Sequence, residues 1–340
     1  MKQVANPPNP FLSEHRELLE PAPAVSIEVF EEETETILSR NESPDLPFRW
    51  SLNPYRGCFH ACAYCYARPS HEYWGFGAGT DFESKLVVKR NAAECLRATL
   101  LKPAWQGELI VFSGNTDCYQ PLEATYQTTR ACLKVCAEFG NPVGIITKSS
   151  LILRDLDVLR ELKEQAWVRV YFSIPFANDE TARKVEPQAP SISKRLETMQ
   201  RISEAGIRTA VSIAPIIPGL NDHDIPQILQ LARQAGATGA TYILLRLNGN
   251  VEPIFLERMK HHFPDRLSKI VHHLQEMRNG KLSERTFFKR HEGQGVTWKT
   301  LEQLFDMNYR KYGFHLIPDE PITHSFHRPG PAQMPLFPNR

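Results

Sequence analysis

The sequence lacks the features of a membrane protein and of a secreted protein. None of its apolar stretches approaches the roughly 18–20 residues that a helix needs to cross a bilayer. The opening residues, MKQVANPPNP, contain no apolar segment of the kind that forms the centre of a secretory signal. We therefore expect a soluble, cytoplasmic protein with no membrane partner.

The sequence also has almost no net charge and no internal repeat of fixed period. Its 40 Lys and Arg residues oppose 39 Asp and Glu residues, for a formal charge of +1. This balance excludes a protein that binds nucleic acid through bulk positive charge, although it allows a local basic patch. Disorder of the whole chain is excluded as well, because 41% of the residues are hydrophobic and only 23% are charged.

The patterns that are present divide the 340-residue chain into four parts. Residues 1–48 contain NPPNP, PAPA and the acidic run EVFEEETETILSR, which together predict an extended, solvated N-terminal arm. Residues 49–250 alternate between strand and helix patterns, and residues 251–315 predict a helical C-terminal extension. Residues 316–340 end in the proline-rich HRPGPAQMPLFPNR, which predicts a flexible tail.

The alternation in the second part predicts an α/β fold with a parallel sheet. Strand patterns occur at 108–113, 142–147, 167–174, 207–216 and 240–247, and helix patterns at 91–101, 121–140, 151–165, 191–206 and 224–236. With one strand before a cysteine-rich loop, they make six βα units. Six units favour an open barrel or a doubly wound sheet over a complete eightfold barrel.

The cysteine-rich loop carries the chemistry. Cys58, Cys62 and Cys65 form the spacing C-x3-C-x2-C, and three thiolates this close can reach three corners of an iron–sulfur cube. The fourth iron is then left without a protein ligand, which favours catalysis over a structural role. The alternative is zinc, with His60 or His71 as the fourth ligand, although no second pair of Cys or His follows at zinc spacing.

The loop NPYRGCFHACAYCYARPSHEYWG resembles the radical S-adenosylmethionine (SAM) superfamily, whose signature C-x3-C-x-(aromatic)-C has Tyr64 at its aromatic position here. With SGNTDCYQPLE and TKSS, roughly residues 45–290 are similar to the DNA-repair-photolyase-like branch related to spore photoproduct lyase. The resemblance implies a partial (β/α)6 TIM-like barrel and a 4Fe–4S cluster on the three cysteines. It also implies reductive cleavage of SAM to methionine and a 5′-deoxyadenosyl radical, with an external electron donor of the flavodoxin or ferredoxin type.

The resemblance further implies which residues contact SAM. Asn115, Thr116 and Asp117 lie where the superfamily holds the SAM amino group, although its common Gly-Gly-Glu version is absent here. Lys148 is expected to pair with the SAM carboxylate, and Ser173 to contact the ribose or the carboxylate. The alternatives are an Asx-type turn, a solvated lysine and a buried hydroxyl. The remaining expected contacts are Tyr64, Tyr66, Ala214 and Ile216.

Four cysteines lie outside the loop. In spore photoproduct lyase a cysteine near the corresponding strand end donates a hydrogen atom to the product radical, and Cys118 is the candidate for that role here. Its alternative role is that of a small buried apolar group. Core packing is also expected of Cys95, Cys132 and Cys136, which lie on predicted helices.

The resemblance favours a lyase-like enzyme that repairs DNA lesions. The segment SERTFFKRHEGQG could grip phosphates and stack a base, through the residues Arg285, Phe287, Phe288, Lys289, Arg290 and His291. An ordinary solvated face explains the segment equally well. Radical chemistry on a peptide, an RNA or a small molecule is the alternative enzyme, and a non-enzymatic iron–sulfur or zinc scaffold is the alternative of another class.

The tail suggests a second partner. Gln333 to Phe337 read QMPLF and resemble the Q-x-x-L-F peptide with which bacterial repair proteins dock on the DNA sliding clamp. Leu336 and Phe337 would supply two apolar anchors, whereas Pro335 departs from the usual motif and removes an N–H. The alternative is a disordered end whose apolar residues fold back on the last helix.

Overall fold

The computed structural model describes residues 2–4, 27–316 and 326–329. Its strands are β1 (Lys2–Val4), β2 (Glu28–Glu32), β3 (Leu38–Arg40), β4 (Trp50–Leu52), β5 (Tyr55–Arg56), β6 (Lys85–Lys89), β7 (Ile110–Phe112), β8 (Val143–Thr147), β9 (Val168–Ser173), β10 (Arg208–Ile216) and β11 (Gly239–Leu244). Its α-helices are α1 (Thr80–Ser84), α2 (Ala92–Leu101), α3 (Glu123–Tyr126), α4 (Thr128–Glu138), α5 (Leu156–Gln165), α6 (Asp179–Val185), α7 (Ile192–Glu204), α8 (Ile225–Gln234), α9 (Val251–His262), α10 (Pro264–Met277) and α11 (Gly295–Lys311).

Six parallel strands form the centre of the fold. The larger sheet has the order β11-β10-β9-β8-β7-β4-β3, and its neighbours are parallel except for β3, which runs antiparallel to β4 at one edge. Each parallel strand connects to the next through at least one helix. This arrangement confirms the predicted α/β fold of six βα units in an open, partial barrel.

Local sequence explains most of these elements. The strands β7 and β8 are short apolar runs that are buried on both faces, as is typical of parallel strands covered by helices. The helix α7 begins where the Ser191 hydroxyl accepts the backbone N–H of Lys194 at 3.2 Å. It ends before Gly206, which adopts φ +77°. Ser191 and Gly206 are the two end residues of the helix pattern at 191–206.

The predicted helix 121–140 is interrupted. Gln127 adopts a left-handed φ of 51° and separates α3 from α4. The cause is Glu123, a fully buried carboxylate that accepts the backbone N–H groups of Thr129 at 2.8 Å and Arg130 at 3.2 Å. These bonds cap the first turn of α4 from the preceding helix.

The acidic N-terminal run is not a solvated arm, which corrects that prediction. The strand β2 pairs in parallel with β6, and β3 pairs with β4. Val29 and Ile37 are at most 1% exposed. The second sheet, in the order β1-β2-β6-β5, thereby joins residues 28–32 to the strand that leads into the cysteine loop. Pairing between distant segments, rather than local pattern, creates this sheet.

The C-terminal extension is helical, with α9, α10 and α11 over residues 251–311. Part of the predicted flexible tail is held: the Phe326 ring stacks on Phe139 at 6.3 Å, and the N–H of His327 donates to the Phe139 carbonyl at 3.0 Å. The proposed clamp-binding peptide, Gln333 to Phe337, lies outside the described residues. Among the helices of the described part, none is long and apolar enough to cross a membrane.

Candidate active site

The three cysteines lie together on the loop of residues 57–67, directly after β5. Cys58 and Cys62 are buried, and Cys65 is half-buried. Cys65 packs against two clusters of buried apolar side chains, one that contains Cys58 and one that contains Cys62. The C-x3-C-x2-C spacing therefore brings three thiols to one place beside the carboxyl end of β4.

The loop has a fixed path. Gly57 adopts φ +69°, and a Cβ at this position would lie 2.9 Å from the Phe82 carbonyl oxygen, so only glycine fits. The N–H of Cys58 donates to the same carbonyl at 2.9 Å, and the N–H of Ala63 donates to the Val185 carbonyl at 2.9 Å. These bonds tie the loop to α1 on one side and to α6 on the other.

Two buried side chains that the sequence analysis did not single out also hold the loop. The Arg68 guanidinium is fully buried and donates to the Cys62 carbonyl at 3.0 Å and to two further carbonyls in the next turn. Gln120 accepts the N–H of Phe59 at 3.2 Å and donates to the Gly57 carbonyl at 3.1 Å. No local pattern signals these roles, because each depends on a contact made by the folded loop.

The loop thiols fit a cationic cluster. Burial raises the pKa of Cys58 to about 12, and the charges of Asp117 and Cys65 add to this effect. Burial also raises the pKa of Cys62, although the nearby Lys148 opposes it. Free thiolates are therefore disfavoured in this place, and bound iron would supply the positive charge that stabilises them.

The two histidines of the zinc alternative have other partners. His60 Nδ1 lies 3.4 Å from Asp117 Oδ2, and His71 Nε2 lies 2.9 Å from the Lys85 carbonyl oxygen. In the described part of the chain, no three Cys, His, Asp or Glu side chains converge on one metal ion. Three cysteines that each bind a different iron of a cube need no such convergence.

Asp117 braces the site rather than offering free oxygens. Its Oδ1 accepts the hydroxyl of Thr147 at 2.7 Å and the N–H of Tyr119 at 2.9 Å. Its Oδ2 accepts the N–H of Lys148 at 2.8 Å and lies 3.4 Å from His60. A carboxylate has about four acceptor positions, and hydrogen bonds from the protein fill three of them. Its expected contact with the SAM amino group stays a prediction that this geometry does not favour.

Asn115 is the better-placed acceptor in the same loop. Asn53, which the sequence analysis missed, accepts the N–H groups of Asn115 at 2.7 Å and Thr116 at 3.4 Å. The Thr116 hydroxyl donates to the Tyr55 carbonyl at 2.8 Å. The Asn115 amide donates to the Ser70 hydroxyl at 3.2 Å, which leaves its carbonyl oxygen outside the described hydrogen bonds.

Lys148 lies against the cysteine loop beside a buried ionic group. Its Nζ is 3.9 Å from Glu186 and 5.8 Å from the centre of the Tyr64 ring. Glu186 accepts the Tyr64 hydroxyl and a 2.5 Å bond from Arg195. Arg195 in turn donates to the Ser173 carbonyl at 2.9 Å. This chain of contacts joins the cysteine loop, the end of β8 and the end of β9.

The charges in this group favour their ionised forms. Burial opposes charge on Glu186, but Arg195 and Lys148 lower the pKa of its carboxyl overall. Burial likewise opposes charge on Lys148, but Cys62 and Glu186 raise its pKa above the ordinary value. At 3.9 Å, Lys148 is beyond hydrogen-bond distance of Glu186. Its ammonium is therefore charged and still able to bind a further anion.

The remaining expected contacts surround the same mouth. Tyr66 is 52% exposed, and its hydroxyl donates to the Gly114 carbonyl, which links the cysteine loop to the loop after β7. A Cβ on Gly114 would lie 2.8 Å from the Ser51 Cβ, so this close approach requires glycine. Ala214 and Ile216 are among the last three residues of β10. Ala214 is half-buried, and Ile216 is buried. Their contacts with SAM stay predictions.

Cys118 is in the segment after β7, outside the cysteine loop. It is fully buried, and its N–H donates to the Ser113 hydroxyl at 2.8 Å. Burial raises the pKa of its thiol, and the charges that act on it come from Asp117 and Glu123. This placement matches a buried apolar group, and the hydrogen-donor role stays a prediction without geometric support. Cys132 and Cys136 on α4 are fully buried as well.

The predicted basic segment is partly neutralised. Arg290 donates to Asp45 at 2.7 Å and 2.6 Å, and its guanidinium lies 4.8 Å from the centre of the Phe287 ring. His291 Nδ1 is 3.8 Å from the same carboxylate. Four of the six residues that the sequence analysis singled out in this segment are exposed, namely Arg285, Phe287, Phe288 and Lys289.

Comparisons with known proteins identify the family of this chain. A family model described as the radical SAM superfamily matches residues 52–232. An uncharacterised protein of Mycobacterium tuberculosis is 39% identical over 226 residues, which span 66% of each chain. A protein of Pseudomonas phage M6 named radical SAM Nalpha-GlyT isomerase is 26% identical over 219 residues, 63% of this chain and 43% of that one.

Solved structures show the same fold. Spore photoproduct lyase complexed with dinucleoside spore photoproduct superposes with a TM-score of 0.61 at 12% identity, over 84% of this chain and 79% of that chain. A mutant of that lyase with bound AdoMet and dinucleoside spore photoproduct gives 0.60 at 14% identity over the same shares.

Proposed function

We propose that this chain, which belongs to the radical SAM superfamily, is an enzyme that holds a 4Fe–4S cluster on its loop and cleaves SAM reductively. The superfamily uses both cofactors and generally needs an external electron donor. The ligands would be Cys58, Cys62 and Cys65. When bound, the cluster supplies the electron that breaks the S–C5′ bond of SAM and leaves a 5′-deoxyadenosyl radical.

The observation that supports this proposal most directly is that a charged lysine lies beside the loop that carries the three thiols. Lys148 has Nζ 5.8 Å from the ring of Tyr64, the aromatic residue of the cysteine motif. An ammonium in this position would pair with the carboxylate of SAM, and the Asn115 carbonyl oxygen would accept from its amino group. Both groups lie at the carboxyl ends of parallel strands, where ligands bind in such folds.

The protein groups have separate tasks in this mechanism. Glu186 raises the pKa of Lys148 against the effect of burial, so the lysine need not gain a proton on binding SAM. Arg195 holds Glu186 in its ionised form. Tyr66 bridges to Gly114 and would cover the adenosine side of the mouth. Covering the reactive part of SAM in this way excludes water.

For the substrate we propose DNA, with reversal of DNA damage as the reaction class. Two exposed aromatic rings, Phe287 and Phe288, accompany the basic side chains of the C-terminal extension, as is typical of surfaces that stack bases. The solved lyase with a similar fold binds a dinucleoside photoproduct. A peptide, an RNA or a small molecule remains the alternative substrate.

The proposal predicts that anaerobically reconstituted protein, reduced with dithionite, converts SAM to 5′-deoxyadenosine and methionine. The Cys62→Ala variant should form neither product, because a cube held by two thiolates is poorly retained. The matched control is Cys95→Ala, which changes a half-buried thiol that donates to the Thr34 carbonyl and should keep full activity. Equal product formation by both variants would refute the assignment.

A further inference from the structure

Two arginines beside the mouth have buried nitrogen atoms without a hydrogen-bond partner among the described residues. Arg278 is 4% exposed, and its Nε and Nη1 are both unpaired. Only its Nη2 is used, in a 2.6 Å bond to the Leu245 carbonyl. The Nε of Arg246 is likewise buried and unpaired. Unsatisfied buried guanidinium groups are costly, so a ligand that accepts their hydrogen bonds would be strongly favoured.

These nitrogens belong to a cluster with excess positive charge. Arg246 Nη1 lies 3.2 Å from His291 Nε2. Burial lowers the pKa of Arg246, and the nearby charge of Arg290 lowers it further. Among the described residues, the carboxylate that binds within the cluster is Asp45, which is paired with Arg290 at 2.6 Å. Burial lowers the pKa of His291 to about 4, and the charge of Arg246 adds to this effect, so the histidine is neutral at pH 7.

A further acidic group does not neutralise the pair. Glu284 attracts Arg278, but its carboxylate accepts the N–H of Arg285 and both the N–H and the hydroxyl of Thr286, each within 2.8 Å. Arg246 and Arg278 thus have no direct carboxylate partner in the described structure. A bound anion would supply the missing negative charge.

The cluster lies beside the proposed SAM site. Arg246 follows β11 by two residues, at the same carboxyl edge of the sheet as the loop that contains Lys148. Its charge acts on the Tyr66 hydroxyl, which is in the cysteine loop. An anion on Arg246 would therefore be a neighbour of the radical-forming centre, in the place that a substrate would occupy.

We propose that Arg246 and Arg278 bind a phosphate group of a nucleic-acid strand that is the substrate. A guanidinium offers planar donors that match phosphate oxygens, and Arg246 Nε together with Arg278 Nε and Nη1 are such donors without a partner among the described residues. The exposed rings of Phe287 and Phe288, in the segment that carries Arg290, favour a strand with bases over a free phosphate. This inference rests on the proposed function and names the chemistry of its substrate.

The test is binding of a fluorescently labelled single-stranded oligothymidylate of about ten nucleotides to full-length reconstituted protein. We expect Arg246→Gln to weaken binding by about tenfold or more. The slope of log affinity against log salt concentration should fall by about 0.7, as for the loss of one phosphate contact. A methylphosphonate oligonucleotide, which lacks backbone charge, should bind the wild type no better than the variant does.

Two further variants separate binding from folding. Arg278→Lys keeps the charge but loses the planar fork, and it should weaken binding while the thermal unfolding midpoint changes little. Arg266→Gln removes an exposed charge at the other end of α10 and should leave binding unchanged. Equal affinity of wild type and Arg246→Gln would overturn the proposal, as would equal affinity for the methylphosphonate strand or for thymidine monophosphate.

The assay does not depend on SAM cleavage. Protein that binds the strand through Arg246 but forms no 5′-deoxyadenosine would refute the proposed radical function alone. Protein that forms 5′-deoxyadenosine but binds the strand independently of Arg246 would refute the phosphate site alone.

Discussion

At the scale of single residues, the site depends on charges that are paired inside the protein. Glu186 is the centre of this arrangement, because it binds Arg195 and Tyr64 and lies 3.9 Å from Lys148. The cysteines and Lys148 could be identified from the sequence, since motif and strand-end position mark them. Glu186 could not, because it becomes part of the site only when the end of α6 packs against the cysteine loop.

Lys148 provides the residue-scale prediction. Replacing it with Gln removes the ammonium proposed to pair with the SAM carboxylate, an ionic hydrogen bond of about 1.5–3 kcal/mol. We expect the KM for SAM to rise roughly tenfold to a hundredfold, while the iron content stays unchanged. The measurement is 5′-deoxyadenosine formation over a range of SAM concentrations.

The exposed Lys134 on α4 supplies the control for this experiment. Lys134→Gln removes the same charge at a distance from the site and should leave the KM for SAM at its wild-type value. An unchanged KM in Lys148→Gln would remove Lys148 from the SAM site.

At the scale of elements, the cysteine loop is held by side chains from outside it. Arg68 fixes the Cys62 carbonyl and forms a 2.5 Å ion pair with Glu83 of α1. Gln120 binds the loop from the segment after β7. A loop that must present three thiols to a cube needs such support, because metal ligands work best when their surroundings orient them.

Arg68 provides the element-scale prediction. Arg68→Met leaves the Cys62 carbonyl without its donor and Glu83 without its partner. We expect a lower free energy of unfolding, by about 2–3 kcal/mol, and faster loss of iron to a chelator, although all three cysteines remain. Arg160→Met, at an exposed position on α5, should behave like the wild type. Equal rates of iron loss from both variants would show that Arg68 does not support the cluster.

The elements that the sequence predicts well are those with a local signal. The strands β7 to β10 are compact apolar runs, and α7 has both of its caps within the predicted segment. The strands β2 and β6 were missed because each is stabilised by pairing with the other across more than fifty residues. The break at Gln127 was missed because it depends on the buried carboxylate of Glu123.

At the scale of the whole molecule, the C-terminal extension completes the wall of the open barrel. Tyr242 of β11 packs against Phe305 of α11 at 4.4 Å between ring centres, and Phe305 stacks on Tyr309 at 5.7 Å. The same extension carries Arg278 and His291 to the edge of β11, where the N–H of Leu244 donates to the His291 carbonyl at 2.9 Å. The extension that packs against the barrel therefore also supplies residues of the proposed phosphate site.

Phe305 provides the prediction at this scale. Phe305→Ala deletes a ring that is 5% exposed and should lower the free energy of unfolding by about 3–5 kcal/mol. Met307→Ala, at a position 61% exposed on the same helix, should change it by less than about 0.5 kcal/mol. Denaturant unfolding monitored by circular dichroism measures both. Equal midpoints would mean that α11 is not packed on β11 as described.

The central claim is that Cys58, Cys62 and Cys65 hold a 4Fe–4S cluster, and metal analysis of anaerobically reconstituted protein tests it most directly. We expect about four irons and four sulfides per chain, retained in Cys95→Ala and lost in Cys62→Ala. On addition of SAM, the electron paramagnetic resonance signal of the reduced cluster should shift, because the fourth iron has no protein ligand. Stoichiometric zinc without iron, or a full cluster in Cys62→Ala, would contradict the account.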